Sequence, residues 1–235
     1  MTDQPPAPAD PQPLPRRRLG PALWRFPLAV AGVLALIVVI ELVLQASDRG
    51  WIGTLRWRSL AYQYGAFWPG LLGNWTPNFA AQSLTMFATY ALLHADMGHM
   101  AGNALTIVGL GQIACQRAGQ RGFLIIYATS AVGGALCFAL LSRSPQPMVG
   151  ASGALFGLAG AWTWWLWRDC ALLRHGGLQV LGVIVLLVVL NLVVWISLDG
   201  LLAWQTHLGG FLAGAATAWA LPDRLAPAGA QNRRI

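Results

Sequence analysis

The sequence predicts an all-α, polytopic membrane protein: a bundle of six transmembrane helices with a partly membrane-embedded first loop. Three observations predict it. Of 235 residues, 56% are hydrophobic and only 10% are charged, against about 25% charged in an ordinary soluble domain. The mean hydropathy is +0.55. The apolar residues gather into six runs separated by short polar or arginine-bearing breaks, which is the pattern of repeated spans.

Residues 1–22 are rich in Pro and Ala and close on Arg16-Arg17-Arg18. They cannot bury a core and are expected to form a disordered cytoplasmic tail. The first span runs from Phe26 to Gln45, longer than the core of a signal peptide. From Ala46 to about Asp96, tryptophans 51, 57, 68 and 75 mix with Pro69, Pro77 and several glycines. That stretch is too broken for a span and too apolar for a solvent loop, and fits an interfacial segment. Five further runs follow: Met97–Cys115, Phe123–Leu141, Ser152–Trp167, Leu178–Leu198 and Trp204–Leu221. The six spans make one domain, residues 23–222, and residues 223–235 form a short cytoplasmic tail. Trp164, Trp165 and Trp167 read as an aromatic belt, and Cys115, Cys137 and Cys170 as buried small hydrophobes.

The net charge is +7 and all 15 basic residues are Arg. They fall between apolar runs, so they report topology and contact with anionic lipid rather than nucleic acid. Residues 16–18, 25, 117, 121, 168, 174, 224, 233 and 234 lie on one side, and Arg49, Arg56, Arg58 and Arg143 on the other. Eleven against four places both termini in the cytoplasm, with the protein in a bacterial inner (cell) membrane. Spans 2, 4 and 6 then start on the outer side and descend.

Ser152 lies sixteen residues before Arg168, about 24 Å above the cytoplasmic boundary at 1.5 Å per residue. His207 lies fifteen residues before Pro222, about 22 Å, and Asn103 fourteen before Arg117, about 21 Å. Three polar residues on three helices therefore share one depth, below the surface of a core about 30 Å thick. Gly153, Gly157 and Ala161 on span 4, and Gly210, Gly214 and Ala218 on span 6, give small residues every fourth place, which lets backbones approach.

Ser152, within Gly150-Ala151-Ser152-Gly153, needs a base to act as a nucleophile, and His207 is the natural one. The Ser152 N–H, free at a helix start, and His99 and Asn103, one turn apart on one face of span 2, are candidate donors to an oxyanion. No Asp or Glu is clearly placed to orient His207, so the arrangement is a dyad. The elbow Gly-x-Ser-x-Gly does not match, because residue 154 is Ala. A metal site from His94, Asp96, His99 and His207 lacks the HExxH pattern. A transport path through Glu41, Gln179 and Asn191 is the generic alternative, but they are dispersed without an inverted repeat. Interhelical or interfacial hydrogen bonding is the preferred reading of those three.

His94-x4-His99-x3-Asn103, Gly150-Ala151-Ser152-Gly153 and His207-x2-Gly210-x3-Gly214, in this order on spans 2, 4 and 6, resemble the rhomboid intramembrane serine proteases. The resemblance covers nearly all of the chain after the tail. It implies a Ser152–His207 dyad and an oxyanion site from His99, Asn103 and the Ser152 N–H. It also implies substrates that are single-span or other membrane proteins, cut in or beside their transmembrane segments, with no cofactor. His94 would be a structural histidine near the end of the first loop. Phe156 stands where many members have Tyr, keeping the ring and losing the hydroxyl. The Trp-Arg pair that many members carry just before the first histidine is replaced there by Thr85-Met86. Here Trp57-Arg58 lies much further upstream. A relative that binds membrane clients without cutting them is the alternative within the family, although such relatives usually lack the serine or the histidine.

Overall fold

A computed structural model of the chain describes residues 26–172 and 177–225. Both expected tails, apart from residues 223–225, and Arg174 lie outside those residues. Among the described residues, seven α-helices and two 3-10 turns follow one another: α1 (Leu28–Asp48), α2 (Trp57–Gly65), a turn at Pro69–Leu72, α3 (Gln82–Thr89), a turn at Tyr90–Leu92, α4 (Met97–Leu141), α5 (Ser152–Leu172), α6 (Gly177–Ser197) and α7 (Trp204–Ala220). The fold is an all-α membrane bundle. Helices α1, α4 and α6 are each long and apolar enough to cross a membrane.

The 45-residue α4 is two spans. Gly119 interrupts it with φ 77° and ψ 173°, and a Cβ there would collide with the Arg224 guanidinium. The chain doubles back at this point: a Cβ on Gly111 would lie 3.2 Å from Cε2 of Phe123, although twelve residues of straight helix extend about 18 Å. With its two limbs counted, the described residues hold six long helical segments. They start and stop within a few residues of the six apolar runs.

Span 4 is the main exception. Its helix passes Arg168-Asp169, expected at its end, and continues to Leu172. The charges are accommodated because they are paired. Arg117 binds Asp169, Arg168 binds Asp223, and Arg117 Nη1 lies 3.0 Å from Asp223 Oδ2. The Arg224 N–H donates to the Arg117 carbonyl at 2.8 Å. Arg117 and Arg168, two of the residues used to mark one membrane boundary, thus share Asp223, the neighbour of the third marker Pro222, at one end of the bundle. Burial pushes the Asp223 carboxyl up, but the Leu225 N–H, Arg168 and Arg117 outweigh it and hold the carboxyl below its ordinary range.

Helix α5 is the centre of the bundle. Ala154, Leu155, Leu158, Ala161 and Trp165 are all buried. Trp165, at 1% exposure, is a core residue and not part of an aromatic belt. It faces inward on a helix surrounded by others, whereas Trp167 is half exposed. Cys170 is buried, but Cys115 and Cys137 are only partly so.

Small residues set the seam between α5 and α7. A Cβ on Gly210 would overlap the Gly153 carbonyl, and one on Gly214 the Gly157 carbonyl. Any larger residue would force the backbones apart.

The stretch 49–96 folds into short helices, turns and connecting segments in which Phe67, Met86 and Tyr90 are fully buried. Phe67 and Met148 exchange backbone hydrogen bonds of 3.0 and 2.9 Å, tying this segment to the loop that feeds α5. Arg58 closes its other end. Its Nη2 is 2.9 Å from Glu41 Oε1, its Nε is 2.6 Å from Asp48 Oδ2, and its Nη1 donates to the His94 carbonyl at 2.9 Å. Trp57-Arg58, 36 residues upstream of His94, thereby reaches the first histidine in space. Glu41 is fully buried, and its guanidinium partner explains how a carboxylate sits there.

Candidate active site

Three helix starts build the site. At α4, the Asp96 side chain caps the helix by accepting the His99 N–H at 2.9 Å, which satisfies a free amide of the first turn. At α5, Gly150 takes φ +127°, a conformation open to glycine, and its N–H donates to the Tyr90 carbonyl at 3.0 Å. The turn leaves Ser152 as the first residue of α5, with its own N–H lacking an intrahelical acceptor. At α7, His207 occupies the first turn and is buried.

The helices bring Ser152 and His207 together, with Oγ 2.8 Å from Nε2. The matched depths are therefore realised as contact. Phe156, one turn along α5 from Ser152, stacks on the imidazole with centroids 4.1 Å apart and planes 6° from parallel. The ring that replaces the common tyrosine occupies the packing position and brings no hydroxyl to it.

Asn103 joins Ser152, Phe156 and His207 around one cavity of about 300 Å³. The Asn103 Nδ2 is buried and has no partner among the described residues, so a donor is available to a ligand in that cavity. The His99 ring lies against the same corner. A Cβ on Gly150 would be 2.7 Å from His99 Cε1, 2.9 Å from its Nε2 and 3.8 Å from Ser152 Oγ. The His99 Nδ1 accepts a long contact from the Ala95 N–H at 3.5 Å, which leaves Nε2 free to carry the ring proton.

His94 stands outside the cavity, fully buried, edge-on to His99 with centroids 5.2 Å apart. Burial pushes its imidazole down to about 4, with His99 acting the same way and Asp96 opposing. The described residues contain no group of three or more His, Cys, Asp or Glu placed to hold a metal. Gly153, Gly210 and Gly214 lie in the α5–α7 seam, where a side chain would collide.

One residue of the site was read otherwise from the sequence. The Asn191 Oδ1 on α6 lies 2.8 Å from His207 Nδ1. Asn191 had signalled itself as a lone amide in an apolar helix, with interhelical bonding expected and no partner assigned. Gln179, beside it in that reading, meets the Cys170 thiol at 3.2 Å. Glu41 belongs to the Arg58 anchor.

An all-α membrane bundle with a serine and a histidine in contact at the N-terminal ends of two central helices defines a narrow class. A family model described as the Rhomboid domain matches residues 81–224, and the chain belongs to the rhomboid family, as an integral membrane protein. It is 31% identical over 150 residues to "Rhomboid protease GluP" of Bacillus subtilis (strain 168), covering 63% of this chain and 27% of that protein. It is 34% identical over 125 residues to "RHOMBOID-like protein 5" of Arabidopsis thaliana, covering 52% and 39%. "RHOMBOID-like protein 1" of the same plant is 33% identical over 132 residues, covering 52% and 30%. The chain spans less than two fifths of the length of the curated relatives it matches.

Proposed function

We propose that this protein is an intramembrane serine endopeptidase that uses a Ser152–His207 dyad. The observation that carries the reading is the 2.8 Å contact between Ser152 Oγ and His207 Nε2, with Phe156 holding the ring plane. His207 Nε2 takes the Ser152 proton as Oγ attacks a peptide carbonyl carbon. The oxyanion that forms is met by the Ser152 N–H, the Asn103 amide and the His99 Nε2–H. His207 then passes its proton to the departing amine, leaving an acyl-enzyme at Ser152. Water repeats the attack, with His207 as base, and frees the second fragment.

The substrates are single-span or other membrane proteins, cut in or beside the span. An apolar groove of about 370 Å³ between α6 and α7, walled by Phe156, Val188, Asn191, His207 and Phe211, supports lateral entry from the bilayer. The arginine distribution supports cytoplasmic termini in a bacterial inner membrane. The protease domain is residues 23–222, between a Pro-rich tail at 1–22 and a short tail at 223–235.

The test is cleavage of a tagged single-span protein in liposomes. The wild type should cut it and Ser152→Ala and His207→Ala should not. Equal cleavage by wild type and Ser152→Ala would sink the reading.

A further inference from the structure

His207 presents only one of its two ring nitrogens to Ser152. The other, Nδ1, lies 2.8 Å from the Asn191 amide oxygen. A neutral imidazole has one donor nitrogen and one acceptor nitrogen. To receive the Ser152 proton at Nε2, the ring must already carry its own proton on Nδ1. An amide oxygen only accepts, so a partner of that kind at Nδ1 selects this tautomer.

Phe156 cannot make the selection. Stacked at 6°, it fixes the plane of the ring. A half-turn about the Cβ–Cγ bond leaves that plane unchanged, while it exchanges Nδ1 with Cδ2 and Nε2 with Cε1. The flipped ring would turn a carbon toward Ser152. The Asn191 contact distinguishes the two orientations, because only a nitrogen can donate to it.

Packing does not account for Asn191. No described residue of α6 is buried, and Asn191 is half-buried at the wall of the Ser152 cavity. An amide within an apolar span is costly unless its hydrogen bonds are met.

We propose that Asn191 is a positioning residue that holds His207 as the Nδ1–H tautomer, with the Nε2 lone pair aimed at Ser152. The base is thereby oriented from α6, a different helix from those carrying the serine and the histidine. This inference rests on the Ser152–His207 reading.

The experiment compares wild type, Asn191→Ala and Asn191→Asp, with Ser152→Ala as control. Three quantities are measured: the rate at which a fluorophosphonate labels Ser152, kcat and KM for a tagged single-span substrate, and the thermal midpoint in detergent. Asn191→Ala should lower kcat and the labelling rate about 10- to 100-fold, with KM within twofold and a midpoint close to wild type. Asn191→Asp restores an acceptor at Nδ1 and should recover most of the lost rate. Its carboxylate also stabilises the imidazolium, so the acidic limb of the pH–rate profile should move to higher pH. The groups that face His207 are Ser152 from α5, His99 from α4 and Asn191 itself, and only residue 191 changes between these variants.

Wild-type rates and an unmoved pH profile in Asn191→Ala would overturn the proposal and leave the dyad standing. Equal losses in both variants, with matching falls in midpoint, would reduce Asn191 to a structural role and also overturn it. A wild-type protein without Ser152-dependent labelling would remove the dyad and this inference together.

Discussion

The Phe156 ring lies parallel to the His207 imidazole at a centroid distance of 4.1 Å. The stack replaces one that a tyrosine would make, and the hydroxyl is not needed to hold the ring plane. Phe156→Tyr should therefore keep kcat within about threefold of wild type, whereas Phe156→Ala should lower it about tenfold or more by freeing the imidazole. Steady-state cleavage by the two variants checks this. Equal rates for Ala and Phe would show that the stack does not orient the base.

Asn103 carries a buried amide nitrogen with no partner among the described residues, beside the serine. Such a donor strengthens its bond when charge develops on a substrate oxygen. Asn103→Ala should cut kcat by about 100-fold and leave KM nearly unchanged. A rise in KM at constant kcat would instead mark Asn103 as a ground-state contact.

The α5–α7 seam leaves no room for a methyl group at Gly210 or Gly214, because the carbonyls of Gly153 and Gly157 occupy that space. Gly214→Ala should destabilise by about 3 kcal/mol, at the upper end of overpacking costs since backbone must move. The Ser152–His207 contact would lengthen as the helices part. A lower thermal midpoint together with a fall in kcat is the expected pair of outcomes. Gly109→Ala, where a Cβ meets nothing within 4 Å, is the control for helix propensity.

Much of this geometry was legible in the sequence, for a definite reason. Helix starts at Met97, Ser152 and Trp204 coincide with breaks in hydropathy, and a helix has a fixed rise. Counting back from Arg168, Pro222 and Arg117 therefore gives each residue's height along its helix. The same counting cannot measure rotation. Trp165 and Trp167 are two residues apart on α5 and so point to nearly opposite faces, one core and the other half exposed, but the helix carries no polar face to tell which is which. Asn191 was visible as a lone amide in α6, but the tilt and rotation of that helix decide whether it meets His207. Arg58 reaches His94 through a glycine- and proline-rich segment whose path no periodicity describes.

Asp223 ties the ends of α4's first limb, α5 and α7 through Arg117 and Arg168. With its side chain only 1% exposed, its removal leaves two guanidinium groups without their shared carboxylate. Asp223→Ala should cost about 3 kcal/mol, read as a lower thermal midpoint. Its carboxyl titrates below the ordinary range, so its contribution is complete at neutral pH. That contribution is lost only as pH falls through the depressed folded value. A variant as stable as wild type at pH 7 would show that the network is dispensable.

His94 gives acid sensitivity in a different window. Its folded value of about 4 lies below the ordinary histidine value near 6.5. Between those values the unfolded chain binds a proton that the folded one does not, so stability rises with pH there. The contribution is whole above about pH 6.5 and falls, on the order of 3 kcal/mol, as pH drops toward 4. Neither ring nitrogen has a partner among the described residues, so His94→Leu removes the titration without breaking a side-chain hydrogen bond. The carbonyl that Arg58 and Tyr62 grip belongs to the backbone and survives the change. Thermal midpoints measured from pH 7 to pH 4 should fall less steeply for His94→Leu than for wild type. Parallel curves would locate the acid sensitivity elsewhere, in other groups that titrate across the same range.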